Sequence, residues 1–434
     1  MTPKPSKAKT KSLKSKSPKA RTVKAAQLAA KTGKTKHPKF GVPFIDTEAM
    51  MNTLLDLLAI PSPAGYTDNI VHYVCERLAG LGIGHELTRR GAIRVTLKGN
   101  TASPSRAVIG HVDTLGAQIK RLKENGRCEV VMIGHWSSRF AEGARVTIYG
   151  DDRSFRGTLL PLKASGHTFN KEIDTQPSEW TNIELRLDEN VSSIQGLLDL
   201  GVNVGDIVAI DPAPELSSGG YISSRHLDDK AGVAAMLAAL KAIKDKKLKV
   251  AVDTSFLFTI SEEVGSGASA VLHGDVAELV AVDNGTVAPG QNSSEFGVTI
   301  GMGDQTGPFD WHLTRHLIGL CKTHSVKHQR DVFRYYRCDA ASAVEAGNDI
   351  RTALITFGID ASHGYERTNI DSMVSVAQLL SLYVQSSPAV HRDQVGMTGP
   401  LEDFPSQPQK EIELPELSDL DTAFPDLGTK ATRR

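Results

Sequence analysis

Between residues 47 and 59, Met50, Met51, Leu54, Leu55 and Leu58 form one apolar stripe, which predicts a helix. The loop Pro61-Ser62-Pro63-Ala64-Gly65 ends it. Thr67 is the expected N-cap of a second helix, with Ile70, Val71, Val74, Leu78 and Leu81 at helical spacing. Residues 92–98 alternate as a strand, and 106–110 form a short apolar run ending at His111. From 118 to 222 the period changes. Short strand-like runs at 128–133, 144–149, 154–160, 182–187 and 206–210 are divided by turns such as Gly150-Asp151-Asp152, and helical periodicity is weak. After 228 the alternation of helix and strand resumes. Helices are predicted at 229–245 and 309–323, and strands at Thr254–Ile260, Leu279–Val282 and Ala353–Phe357; Asp371 is the expected cap of a final helix reaching 386. The pattern predicts an α/β fold, a mixed sheet sandwiched by helices, with an inserted all-β domain.

The 434 residues exceed one compact core. The expected organisation is a catalytic domain in two parts, 44–117 and 223–387, around the β module of 118–222. The formal charge is zero but unevenly spread. Residues 1–45 hold twelve lysines, Arg21 and no acid, whereas Glu402–Asp426 contains eight acids and only Lys410 as a base. Segment 1–43 lacks the apolar residues to offset its ordering entropy, as does the acidic, Pro-rich 388–434, so both are expected to be disordered tails. The basic one reads as a solubilising tail, or as an arm for nucleic acid or anionic lipid. No apolar run approaches the roughly 20 residues of a membrane helix, and no secretory core is present. The four cysteines are scattered without a CxxC pair, which fits a reducing, cytoplasmic location rather than a disulfide or thiolate metal framework.

Acidic and histidine residues gather where the apolar strands stop. His111-Val112-Asp113 closes one strand, and Asp113, two positions on, shares a face with the His111 ring and can orient it. Asp228-Asp229 precedes the Ala-rich helix; favourable dipole placement explains Asp229 but does not require Asp228. Glu262-Glu263 follows the strand Thr254–Ile260, and adjacent buried carboxylates call for a cation or a proton. Asp283 ends the next strand, and His363 follows Ala353–Phe357 through the loop 358–362. Carboxyl ends of strands in an open α/β sheet are where ligands bind.

The ordered set His-x-Asp, Asp-Asp-Lys, Glu-Glu, Asp, His resembles the tetrahedral, or deblocking, aminopeptidases, family forty-two of the metallopeptidases, over residues 45–387. His226-Leu227-Asp228-Asp229-Lys230-Ala231-Gly232 and Ser261-Glu262-Glu263-Val264-Gly265-Ser266-Gly267 carry the resemblance, as does the 117-residue gap from His111 to Asp228 that houses the β module. Trp136–Gly143, Ala288–Gln291 and His363–Thr368 are similar to a subgroup accompanying synthesis of the osmoprotectant N-acetylglutaminylglutamine amide. The resemblance implies a zinc-peptidase fold and two divalent ions, zinc with cobalt or manganese as alternatives. It assigns His111, Asp228 and Asp283 to one ion and Asp228, Glu263 and His363 to the other. Glu262 would be the general base, and Asp113 would orient His111. It further implies a small-peptide substrate and a homo-oligomer, from dimer to dodecamer, built through the inserted domain. Asn284-Gly285 and Gly364-Tyr365 depart from the context common in glutamyl and deblocking members, which bears on substrate preference. Two other readings use the same residues: a deacylase or amidase acting on N-acyl amino acids or dipeptide amides, and a non-catalytic peptide-binding scaffold.

Overall fold

Helix formation at the start of the described residues follows their apolar stripe. In the computed structural model, which describes residues 40–394 and 404–408, α1 (Thr47–Ala59) is capped by the Asp46 carboxylate and buries Met50, Leu54, Leu57 and Leu58. The next helix, α2 (Asp68–Gly80), starts at Thr67, whose side chain makes no capping bond. Strands β1 (Ile93–Leu97) and β2 (Thr101–His111) lead toward the module, and β3 (Tyr221–Ser224) returns from it. Then come α3 (Leu227–Asp245), β4 (Val252–Thr259), β5 (Val276–Val287), β6 (Val298–Asp304) and α4 (Trp311–His324). The chain finishes with β7 (His328–Val332), α5 (Asp339–Glu345), β8 (Arg351–Asp360), β9 (Glu366–Asn369) and α6 (Ile370–Gln385).

The main path of the larger sheet runs β1-β4-β2-β5-β8-β9-β3, with β6 and β7 branching from β8. Its centre is parallel: β4 and β5 flank β2, and β8 pairs with β5. The outer pairs β1–β4, β6–β8 and β9–β3 are antiparallel, so the sheet is mixed, as the sequence predicts. Side chains alternate between two covered faces. Val108, Phe256, Phe258, Val280, Val282 and Ile355 pack under the helices α1, α2, α3, α4 and α6. Ala107, Ile109, Leu257, Leu279, Ala281 and Leu354 pack on the opposite face with Phe333 and α5. The central α3 is buried almost all round, which explains its run of alanines and leucines.

The module is a closed barrel of strands within Gly116–Ile210, with its own core of Ile119, Val130, Val146, Ile148, Leu159, Leu185 and Val208. Strand β3, which the sequence pattern assigns to the module up to residue 222, pairs with β9 in the larger sheet. The module also holds the helix Ile194–Leu200, which its weak helical periodicity conceals. At the other end the chain stays packed past Pro388: Val390 is buried and Asp393 pairs with Arg351. Residues 1–39, and most of the acidic segment, lie outside the described residues. Among the described residues no helix is long and apolar enough to cross a membrane. All four cysteines are free; Cys128, Cys321 and Cys338 are buried and Cys75 is half-buried.

Candidate metal centre

The parallel strands β4, β2 and β5 run the same way, so their far ends bring side chains from distant sequence together. His111 is the last residue of β2. Glu262 and Glu263 follow β4, and Asp228 opens α3, where Asp228 and Asp229 both lie outside helical geometry. Asp283 does not end its strand. β5 runs on to Val287, in parallel register with β8 from Asp283–Thr356 to Val287–Asp360. β8 likewise outlasts its apolar run, so His363 follows a shorter loop than its sequence pattern suggests.

All six sequence-predicted ligand and base residues meet in one place, with His111, Asp228 and Asp283 buried and Glu262, Glu263 and His363 half-buried. His111 Nε2 is 3.2 Å from Asp228 Oδ1 and 3.7 Å from Glu262 Oε2. His363 Nε2 is 3.3 Å from Asp228 Oδ2 and 3.9 Å from Glu263 Oε2. Candidate ligand atoms of His111, Asp228 and Asp283 lie within 4.8 Å of one another, as do those of Asp228, Glu263 and His363. Asp228 is common to both groups, and its two oxygens face different imidazoles.

Buried partners hold these side chains from behind. His111 Nδ1–H donates to the Asp113 carbonyl at 2.9 Å, and His363 Nδ1–H to the His135 carbonyl at 2.9 Å. Both rings thus keep Nε2 toward Asp228. The Asp113 carboxylate is 3.6 Å from the His111 ring, and its hydrogen bonds go elsewhere: it accepts the backbone N–H groups of Glu262 at 3.1 Å and Glu263 at 3.2 Å. Glu366 does the same for the second group, accepting N–H bonds from Asp228 at 3.1 Å and His363 at 2.8 Å. Asp229 accepts the His111 N–H at 3.1 Å. A Cβ on Gly232 would stand 2.0 Å from that carboxylate, so only glycine leaves it room. The sequence reading missed Glu366, Asn284 and the His135 carbonyl. The short interval from His363 to Glu366 is a local hint, and Asn284 stands out only as a departure from the family context; the His135 carbonyl has no sequence signal.

The cluster carries more negative charge than its imidazoles balance. Burial pushes Glu262 well above the usual carboxylate range, with Asp283, Asp339 and Glu263 adding to the effect and His111 opposing it. Glu263 is pushed up to about 8 by burial, against the pull of His363 and with Asp228 adding to it. Asp283 also reaches about 8 through burial and the charge of Asp228. Burial opposes a charge on His363, but hydrogen bonding to Asp228 and the nearby Glu263 raise it to about 10. His111 is raised for similar reasons, by Asp113, Asp228 and Glu262. Asp228, between two imidazoles, stays below the carboxylate range despite its burial. Glu263 Oε1 is buried without a hydrogen-bond partner among the described residues. An unpaired buried carboxylate oxygen among like charges is what a cation would relieve.

A profile of the M42 glutamyl aminopeptidase family matches residues 91–379, which takes in every residue of this cluster. The chain belongs to the M42 family of aminopeptidases. It is 36% identical over 337 residues to the putative aminopeptidase YhfE of Bacillus subtilis, covering 77% of this chain and 97% of that one. The glutamyl aminopeptidase of Lactococcus lactis is 24% identical over 214 residues, 48% of this chain and 58% of the relative. Among solved structures, an aminopeptidase from the archaeon Desulfurococcus kamchatkensis superposes with a TM-score of 0.72 at 21% identity, covering 82% of this chain and 99% of that chain. The TET1 peptidase of Pyrococcus horikoshii, described as able to assemble into a tetrahedron or a large octahedral shell, gives 0.69 at 20% identity, covering 77% and 99%. As an M42 member the chain is a peptidase, and the expected zinc-peptidase fold with its added barrel is the one these relatives share.

Beside Asp228, Glu263 and His363 lies a small cleft of about 290 Å³ in all, whose walls include Leu115, Trp136, Ile210, Arg225 and Glu366. Trp136 belongs to the barrel core, so the module of the M42 chain contributes a wall as well as the carbonyl that steadies His363.

Proposed function

We propose that this M42 peptidase uses two divalent cations, zinc being the best fit, to remove amino-terminal residues from small peptides. The observation that carries the reading is the pair of ligand groups sharing Asp228. Carboxylates and imidazoles without a thiolate suit Zn²⁺, Co²⁺ or Mn²⁺. His111, Asp228 and Asp283 would hold one ion; Asp228, Glu263 and His363 would hold the other. Bound there, the ions would supply Lewis acidity toward the scissile carbonyl and toward the attacking water.

The chain's own groups do the rest. Glu262 Oε2 lies beside the first group, 3.7 Å from His111 Nε2, and burial gives its carboxyl a raised proton affinity. It is thus suited to take a proton from the attacking water and return it to the departing amine. Asp113, by holding the N–H groups of both Glu262 and Glu263, fixes the base relative to a ligand. The shallow cleft beside the second group suits the end of a short peptide better than an internal segment of a folded chain. The subgroup resemblance extends the substrate class to small dipeptides related to N-acetylglutaminylglutamine amide. Relatives that form shells, together with the exposed Val131, Met132 and Leu162 of the module, support a homo-oligomer.

Metal analysis combined with a panel of free and N-acetylated dipeptides tests the reading. Two equivalents of metal per chain and cleavage of free-amine substrates are expected. Cleavage confined to blocked substrates would turn the reading into a deacylase, and bound metal without cleavage of any peptide into a scaffold.

A further inference from the structure

We infer that Asn284 is a positioning residue that fixes the twist of the carboxylate shared by the two ligand groups; this rests on the two-cation reading above. Asn284 follows Asp283 on β5 and is 1% exposed. Its Nδ2 lies 2.6 Å from Asp228 Oδ2 and 3.3 Å from Asp283 Oδ1, and its backbone N–H donates to Asp283 Oδ1 at 2.6 Å. Two carboxylates face the same end of the side chain, so that end is the NH₂ group. The other end, Oδ1, is buried without a hydrogen-bond partner among the described residues. An amide placed only to stabilise the core would pair both ends, because an unsatisfied buried acceptor costs free energy. Here the donors are spent on the two ligand carboxylates and the acceptor is left alone.

Bridging requires the two oxygens of Asp228 to point into different groups. The carboxyl torsion of an aspartate is broad and does not hold a direction by itself. The backbone of Asp228 is held by Glu366, but that bond does not set the side-chain twist. Asn284 does, by donating to Oδ2, the oxygen that faces His363. A single ion can be held by whichever oxygen turns to it, whereas two ions need both oxygens aimed at once. Asp283 keeps the backbone N–H of residue 284 at 2.6 Å when the amide is lost, whereas Asp228 Oδ2 loses its 2.6 Å donor, so the loss falls on the second ion and leaves the first held almost as before.

Titration of the metal-free full chain with Zn²⁺ and with Co²⁺ tests this, using Asn284→Leu, which keeps the volume, and Asn284→Ala, which does not. For both variants the first equivalent should bind as in the wild type and the second about 10–100-fold more weakly, the usual cost of losing an outer partner of a ligand. The spectrum of the cobalt-loaded wild type should show two magnetically coupled ions, and that of the variants uncoupled ones. Thermal melting of the metal-free variants controls for folding. If Asn284→Leu binds both ions as tightly as the wild type and keeps the coupling, the inference is overturned. A wild type that takes up only one ion would instead overturn the two-cation reading on which it rests.

Discussion

Two of the places where this molecule buries charge settle it differently. Under α6, Arg106 is 0% exposed, lies 3.4 Å from Glu278 and stacks 4.2 Å below the ring of Tyr383. Tyr383 in turn donates to Glu278 at 2.7 Å. One cation meets one anion there, and the pair fastens strand starts to the last helix. At the far ends of the same strands, Asp228, Glu262, Glu263 and Asp283 crowd around two imidazoles, with Asp113, Asp229 and Glu366 immediately behind them. Among the described residues no lysine or arginine forms an ion pair with these acids; Arg225 and Arg337 act on Glu366 and Glu262 only at longer range. Buried charge that closes on itself is part of the scaffold. Buried charge left open marks a place completed by something from outside.

The sharpest test of that contrast is chemical. Glu262→Gln should keep its metal and its melting temperature but lose about 10³-fold in kcat, the typical share of a general base; full turnover in a metal-loaded variant removes Glu262 from its role. Glu278→Gln should break the closed pair. Denaturant unfolding should show a loss of about 3–5 kcal/mol, because Arg106 is left buried without its counter-charge.

In the open site the sign reverses. Burial pushes Glu263 and Asp283 up to about 8 in the fold, against ordinary values of 4.5 and 3.8. The native state thus binds more protons than the unfolded chain between about pH 4 and 8, and stability should fall as pH rises through that window, by at most about 1.4 kcal/mol per pH unit for each carboxyl. Glu263→Gln should flatten this fall in metal-free protein, and saturating metal should do the same in the wild type. A metal-free protein that gains stability from pH 5 to 8 would refute the account. The smallest effect expected is that of Gly134→Ala. Its φ of +78° and a Cβ 2.5 Å from Leu115 Cδ2 should cost about 1 kcal/mol and lower the affinity for the ion proposed at His363, measured by competition with a chelator.

The strands and helices were legible because their apolar runs carry their period, and the candidate ligands because acids and histidines fall where those runs end in an order that resembles the M42 family. Boundaries failed where hydrogen bonding outlasts hydrophobicity: β5 continues through Asn284-Gly285-Thr286 because β8 lies parallel beside it. The role expected of the Asp113 side chain rested on its spacing from His111. In the fold its carboxylate turns to the N–H groups of Glu262 and Glu263, and the carbonyl of the same residue meets the ring, a division that spacing does not reveal. The contacts of Asn284 and Glu366 were not legible because an amide or an acid just past an apolar run is ordinary until folding shows what it touches.

His363 leans on a carbonyl contributed 228 positions earlier by the loop leaving the second barrel strand. Seating of the barrel and geometry of the last ligand are therefore one event. A barrel seated differently would carry that carbonyl away and leave the His363 ring without the acceptor that turns Nε2 toward Asp228.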